Sequence, residues 1–140
     1  MVEFAVMAPL LVLLLCGIVE TAFYGVVFLS VENAARSAAM RNSFGSDSAT
    51  DQTSACEIVT EELRSVLLTS GSMPAAGCAT APLVVTSILC GNGVACSGTQ
   101  MSADGKASVA VTVQLTMPTW IPLHFIDVIT RRAEMKIRGY

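Results

Sequence analysis

The chain has 140 residues, of which 53% are hydrophobic and 14% are charged, and its formal net charge is −3. The length fits about one small domain, and the acidic balance gives no electrostatic drive towards nucleic acid. No GxSxG nucleophile, P-loop or GxGxxG motif occurs in the sequence, so nothing in it favours an enzyme. No catalytic residue, cofactor site or metal site is predicted.

An apolar segment dominates the N-terminal part of the sequence. Glu20 is the only charged residue in Phe4–Val31, and a second acid, Glu3, lies just ahead of this run. About 20 apolar residues cross a hydrocarbon core, and a helix is the spanning structure that this composition favours. We therefore predict a hydrophobic helix over residues 1–41, which lies in a bilayer or is buried by copies of itself. Pro9 removes one backbone donor and predicts a helix kink near the start.

This segment differs from a secretory signal peptide. A signal peptide opens with basic residues and has a short apolar core, whereas here no Lys or Arg precedes the run and the run is longer. Arg36 and Arg41 follow the apolar run, which under the positive-inside rule would place the rest of the chain in the cytoplasm. A basic leader removed from a precursor would reverse that orientation. We therefore expect a retained segment of a processed protein.

The last part of the predicted helix is amphipathic. Small apolar residues recur on one side of it, namely Val31, Ala34, Ala35, Ala38 and Ala39. On the other side, Glu32 and Arg36 are spaced i,i+4 in the favourable order. Two interpretations stay open for the charged residues of the segment: polar contacts between subunits, or positions at the membrane interface and on a solvated face. These residues are Glu20, Glu32, Arg36 and Arg41.

Residues 42–140 are expected to form one small globular head. Ser54 followed by Glu57 has the spacing of a capping box, which predicts a helix with Ser54 as its N-cap. The apolar face of this helix has helical spacing and consists of Val59, Leu63, Val66 and Leu67. Gly71 is the expected C-cap.

Three later segments have strand character. Leu83–Cys90 is rich in β-branched residues, whereas Ala107–Met117 and Arg131–Arg138 alternate apolar with polar residues. Alternation predicts antiparallel strands with one buried and one solvated face. The predicted fold class is therefore α+β, with a long hydrophobic N-terminal helix followed by one helix packed on about three antiparallel strands.

The five cysteines divide between the two regions. Cys16 lies in the apolar segment and is expected to be an inert packing residue. The even number in the head suggests two disulfides in an oxidising compartment. Proximity along the chain favours Cys56–Cys78 and Cys90–Cys96, while other connectivities and free thiols stay open. No CxxC pair is present, so neither zinc binding nor thioredoxin-like chemistry is expected.

Several short motifs in the N-terminal segment occur together in one known family. They are Val2–Ala5 (VEFA), Pro9–Leu11 (PLL), Gly17–Glu20 (GIVE) and Glu32–Arg36 (ENAAR). This combination resembles the N-terminal signature of TadE-like proteins, which are pilins or pseudopilins of the tight-adherence branch of the type IV pilus superfamily. The resemblance is close over the apolar segment and looser over the head.

The resemblance implies a pilin-like fold and a precursor whose basic leader a prepilin peptidase removes. The mature helix is then expected to leave the inner membrane and enter a filament or its base. A Glu near the mature N-terminus is the hallmark of the family, and Glu3 matches it, offset from the usual position. In a helical stack, the α-amino group of a neighbouring subunit would neutralise Glu3 and fix the axial register. The alternative is an acid at the membrane rim, wetted by water.

Three functions are compatible with these features. The first is a structural pilin subunit that polymerises through its N-terminal helix into an extracellular pilus-like filament. Its partners would be copies of itself, the inner membrane and the pilus assembly machinery, with no nucleic acid. The second is a minor pseudopilin that primes or caps a tight-adherence pilus or secretion system. The third is a bitopic membrane protein with a small binding head, whose helix would not need to continue to Met40.

Overall fold

The structure of the chain is a computed structural model. The residues that it describes are 2–45, 47–64, 66, 78–90, 107–117 and 128–138, and its account of side chains begins at residue 7.

A long helix, a short helix and an antiparallel sheet follow one another in this part of the chain. The elements are α1 (Val2–Asn42), a 3-10 helix (Ser48–Thr50), α2 (Gln52–Glu62), β1 (Leu83–Cys90), β2 (Ser108–Thr116) and β3 (Val128–Lys136). The strands lie in the order β1-β2-β3 and all neighbours are antiparallel. The predicted α+β, pilin-like fold is confirmed.

Helix α1 is the longest described element. It has 41 residues, which corresponds to about 60 Å at 1.5 Å per residue. Pro9 lies inside it and does not end it. The kink that Pro9 was predicted to cause stays a prediction, because a continuous helix can be straight or bent at this residue.

The sheet follows the alternation of the sequence. Val109, Val111 and Val113 of β2 are fully buried, whereas Gln114 and Thr116 are exposed. Leu83 pairs with Leu115 in β1–β2 and Ala133 pairs with Val111 in β2–β3. Apolar side chains of all three strands therefore meet on one face, since residues two apart on a strand share a face. On the other face, Cys90 and Ala110 form a second, smaller buried cluster with Ile88.

The second half of α1 supplies the other side of this core. Its buried residues recur at helical spacing and are exposed by at most 1%; they are Val27, Val31, Ala34, Ala35, Ala38 and Ala39. Helix α2 packs against them with Ala55, Cys56, Val59 and Leu63. The predicted apolar side of the amphipathic part is confirmed. Because most of its members are alanines, the backbones of α1 and the head can approach closely.

The start of α2 differs from the prediction. The N-cap is Asp51, whose carboxylate accepts hydrogen bonds from the backbone N–H groups of Thr53 and Ser54 at 3.0 and 3.1 Å. Ser54 lies inside the first turn, so its assignment as the N-cap was wrong. Asp is at least as good an N-cap as Ser, and an Asp in extended backbone was available one turn earlier. The predicted C-cap, Gly71, lies outside the described residues.

The strand bounds also differ slightly. β1 has the predicted limits, and β2 is one residue shorter at each end. β3 begins at Val128 rather than at Arg131, because Val128 and Ile129 pair with Thr116 and Leu115 of β2. Pairing with a neighbour extends the strand to residues that the alternation had not included.

Candidate functional site

The first half of α1 presents large apolar side chains that the head does not cover. Leu10, Leu13 and Val19 are exposed by 68%, 70% and 69%. Other large apolar residues of the same stretch are exposed by more than half, namely Met7, Leu11, Val12, Leu14, Leu15, Ile18 and Val26. We call the stretch Met7–Val26 the apolar sleeve. A contiguous apolar surface of this extent is the mark of an interaction site or a membrane segment.

The dimensions of the sleeve match a bilayer. Met7–Asn42 is long enough to cross a membrane, and it contains an 18-residue window with a mean hydropathy of 2.3, of which 6% is buried. About 20 helical residues span 30 Å, which is the thickness of a hydrocarbon core, and the apolar run Phe4–Val31 is longer than that. The core helix of a soluble protein would be mostly buried, and this one is not.

Small residues follow one side of the sleeve, and two of them, Gly17 and Thr21, line a shallow groove together with Leu14, Ile18 and Ala22. Gly17, Thr21 and Gly25 are spaced four apart, and the Thr21 hydroxyl donates to the Gly17 carbonyl at 2.8 Å. A Cβ built on Gly17 or Gly25 would meet nothing within 4 Å. Small residues at this spacing let a second helix approach closely, so this side of the sleeve has the shape of a helix-packing face.

Glu20 is the charged residue of the sleeve. Its residue is half-buried, and its Oε1 is buried without a hydrogen-bond partner among the described residues. Burial of an unpaired carboxylate oxygen is costly. No described residue donates a hydrogen bond to this oxygen. Contact of Glu20 with a partner subunit and its position at the membrane interface both stay predictions.

Glu3 and Pro9 lie in the first turns of α1. The backbone of Glu3 is helical, but its side chain lies outside the described part, so its pairing with a neighbouring α-amino group stays a prediction. Both residues are near the end of α1 that is remote from the head, because the contacts of α1 with the head begin at Phe23.

The charged residues after the sleeve lie beside the head. Arg36 forms a salt bridge with Glu32 one turn earlier, and both side chains keep substantial exposure, 63% and 34%. Such a pair contributes about 0.3–0.5 kcal/mol. The two residues line an open groove of about 740 Å³ between α1 and β3, whose other walls are residues 130–135. Arg41 is exposed. Contacts of these residues with a second subunit stay predictions.

Comparison with known families links the sleeve to one of them. The family model described as "TadE-like protein" matches residues 1–40. The N-terminal segment of this chain is therefore similar to that of TadE-like proteins. The match covers the sleeve and nearly all of the buried half of α1, and the head lies beyond it. Comparison with curated proteins and with solved structures gave no match.

Two arginines of β3 and the turn after it lie over aromatic rings at opposite ends of the head. The guanidinium carbon of Arg131 is 3.7 Å from the centroid of the Phe28 ring, at the sleeve end of the head. Arg138 lies 5.9 Å from the Phe44 ring, just beyond the end of α1. Sequence reasoning predicted a strand with one buried and one solvated face here and missed both pairs. Only the position of β3 along α1, which the sequence does not encode locally, would have revealed them.

A buried polar cluster joins the end of α1 to the sheet, and sequence reasoning also missed it. The Asn42 side-chain amide donates to the Asp51 carbonyl at 3.1 Å and to the Ser87 hydroxyl at 2.9 Å. Ser87 in turn donates to the Ala49 carbonyl at 2.7 Å. Asn42 is fully buried, so its hydrogen bonds fix the position of the end of α1 relative to the sheet. A polar residue at the end of a small-residue stripe was the available signal.

The head contains the predicted disulfide between Cys56 and Cys78, with a Cα–Cα distance of 5.6 Å. Cys90 is also disulfide-bonded, and its predicted partner, Cys96, lies outside the described residues. Cys16 is a free and exposed thiol on the sleeve. Among the described residues no group of His, Cys, Asp and Glu side chains could hold a metal ion.

Proposed function

We propose that this chain is a structural pilin subunit that polymerises through α1 into an extracellular pilus-like filament. The observation that carries the proposal is the apolar sleeve, which the head of the same chain leaves uncovered over about 30 Å. The TadE-like match associates the segment with the tight-adherence pilus. The sleeve would be covered by lipid before assembly and by neighbouring helices in the filament.

Energetics support burial of the sleeve against other helices. Each large apolar side chain gains roughly 1.5–3 kcal/mol when it leaves water. In lipid that gain is already made, so helix association there depends on close packing and on polar contacts. The small residues Gly17, Thr21 and Gly25 would permit close packing, and Glu20 would provide a polar contact. A head-to-tail contact that does not close on itself then produces a helical polymer.

The partners follow from this proposal. Before assembly the chain would sit in the inner membrane, and a prepilin peptidase and the pilus assembly machinery would act on it. Afterwards its partners would be copies of itself at the cell surface. Glu3 would be neutralised by the α-amino group of a neighbouring subunit and set the axial register, because an unpaired acid among apolar helices is costly.

Replacement of Glu3 tests the proposal. Glu3→Gln keeps size and polarity and removes the charge, and Glu57→Gln on the exposed side of α2 is the matched control. Material sheared from cells is examined by electron microscopy and identified by mass spectrometry, and the mature N-terminus is determined for each variant. We expect filaments from the wild type and from Glu57→Gln, and few from Glu3→Gln with unchanged processing and an intact Cys56–Cys78 disulfide.

Other outcomes decide against parts of the proposal. Normal filament yield from Glu3→Gln would refute the register role of this acid. Filaments that lack the chain would refute the structural-subunit role. Filaments with the chain in traces would instead indicate a minor pseudopilin, and a chain found solely in the membrane would indicate a bitopic protein.

A further inference from the structure

The level of Arg131 along α1 coincides with the end of the apolar surface. Arg131 lies over Phe28, two residues after the sleeve ends at Val26 and within the part of α1 that the head begins to cover. The hydrocarbon core of a bilayer is about 30 Å thick. If the sleeve spans a bilayer, as the proposed function requires, the Arg131 guanidinium lies at the height of the lipid headgroups.

The surroundings of Arg131 have the composition of a membrane-proximal surface. Val26 and Leu29 of α1 are exposed by 61% and 60%, and Val128 at the start of β3 by 44%. Val128 precedes Arg131 by three residues, or about 10 Å of strand. Exposed apolar side chains therefore extend from the helix onto the base of the head, and the first cation of β3 follows directly above them.

Arg131 has no ion-pair partner among the described residues, and its contact there is with the Phe28 ring. Its Nε is buried without a hydrogen-bond partner, and no described carboxylate forms an ion pair with it. Glu32 shares the same groove but pairs with Arg36. The residue is half-buried, so part of the guanidinium stays accessible. A guanidinium presents a planar fork of donors that matches a phosphate, which it binds through charge-assisted hydrogen bonds.

We propose that Arg131 and Phe28 form a binding site for the phosphate of an anionic phospholipid in the membrane-inserted subunit. The acyl chains of that lipid would contact Val128 and the sleeve below Phe28, and Arg131 would hold its phosphate. This proposal rests on the proposed function, because it requires the sleeve to span a bilayer. Its role would be to fix the depth and tilt of the subunit before the helix leaves the membrane.

The chain offers a matched control for this site. Arg138 also lies near an aromatic ring, Phe44, just beyond the far end of α1, and that helix end is about 21 Å further along the axis than Phe28. A general attraction between cations and anionic lipid would involve both arginines, because both carry the same charge. A lipid site at the base of the head involves Arg131 alone.

The test uses the full chain, reconstituted into nanodiscs of mixed phosphatidylglycerol and phosphatidylcholine. Wild type, Arg131→Gln, Arg131→Lys and Arg138→Gln are compared by native mass spectrometry, which counts the lipids retained on release. We expect the wild type and Arg138→Gln to retain phosphatidylglycerol in preference to phosphatidylcholine. Arg131→Gln should reduce that preference about tenfold, which corresponds to loss of charge-assisted hydrogen bonds. Arg131→Lys should be intermediate, since it keeps the charge and loses the fork.

Three results would overturn the lipid site. They are equal retention by Arg131→Gln and the wild type, equal loss in the Arg131 and Arg138 variants, and displacement of the lipid by inorganic phosphate, which would indicate a soluble-anion site. Peptide mapping of Cys56–Cys78 checks that each variant is folded, and Arg131→Lys carries the test if Arg131→Gln fails to fold.

Extraction with alkaline carbonate separates this proposal from the proposed function. A chain that carbonate removes from the membrane would refute both the bilayer span and the lipid site. A chain that stays inserted, forms filaments and shows no effect of Arg131→Gln would refute the lipid site alone.

Discussion

The two halves of α1 use hydrophobicity in opposite ways. The apolar sleeve has the larger and more hydrophobic side chains and leaves them exposed, with Leu13 at 70%. The second half, residues 27–42, has mostly small side chains on its inner side and buries them completely, as at Ala34 and Ala38. Hydrophobicity alone thus does not show which part of a helix belongs to the core of its own chain. The sleeve must be covered by something outside the chain, whereas the second half is covered by the head.

The comparison also changes the interpretation of helix length. Continuation of α1 to Asn42 had favoured a filament subunit over a simple anchored protein. In the structure, Val31, Ala35 and Asn42 are part of the head core, so the head needs these turns whatever the sleeve does. The case for assembly therefore rests on the sleeve and not on the length of the helix.

The largest expected effect contrasts a charge placed in each half. Val31→Asp buries an unpaired carboxylate, which should cost at least about 3 kcal/mol and unfold much of the head. Leu11→Asp, at a position exposed by 57%, should change the free energy of unfolding of the head by less than about 0.5 kcal/mol. It should instead weaken membrane insertion by about 3 kcal/mol. Limited proteolysis of the head and carbonate extraction measure the two effects, and equal unfolding in both variants would invalidate the comparison.

A second contrast uses the cysteines. Cys56→Ala with Cys78→Ala removes the cross-link between residues that lie 22 apart. Because the unfolded chain then gains conformational entropy, the head should be destabilised by about 3 kcal/mol. Cys16→Ser lies on the sleeve and should leave the head unchanged. Denaturant unfolding in detergent, followed by circular dichroism, measures both. If Cys16→Ser destabilised the head as much as the double variant, the sleeve would be part of the head core.

The smallest of these effects concerns the end of the buried half. Asn42→Ala removes the donors to the Asp51 carbonyl and the Ser87 hydroxyl, and should cost about 1–3 kcal/mol because buried acceptors lose their partner. The neighbouring Arg41→Ala is exposed and should cost less than about 0.5 kcal/mol. The same unfolding measurement compares them. Similar stability of the two variants would show that the polar cluster does not hold the helix to the sheet.

Sequence reasoning succeeded where a local pattern carried the information. The buried side of α1 followed from helical spacing at Val31, Ala34 and Ala38, and β1 and β2 followed from composition and alternation. It failed at Ser54, because the sequence contains two acceptable N-cap residues and the N-cap of α2 is the other one, Asp51, one turn earlier.

Tertiary placement could not be predicted in the same way. The Arg131–Phe28 pair and the hydrogen bond from Asn42 to Ser87 join residues far apart in sequence. Both depend on the positions of β3 and β1 along α1, which are determined by the packing of the whole head. The central site residue, Glu3, came from resemblance, and its side chain lies outside the described residues.

Cys16 provides the most direct measurement of the central claim, that the sleeve is covered by lipid and then by other subunits. It is a free thiol, exposed on the isolated chain. Intact cells, sheared filaments and denatured protein are treated with a membrane-impermeant maleimide, and the labelled peptide is identified by mass spectrometry. We predict that Cys16 is unreactive in cells and in filaments and reacts fully after denaturation. Rapid labelling of Cys16 in cells or in filaments would contradict the account.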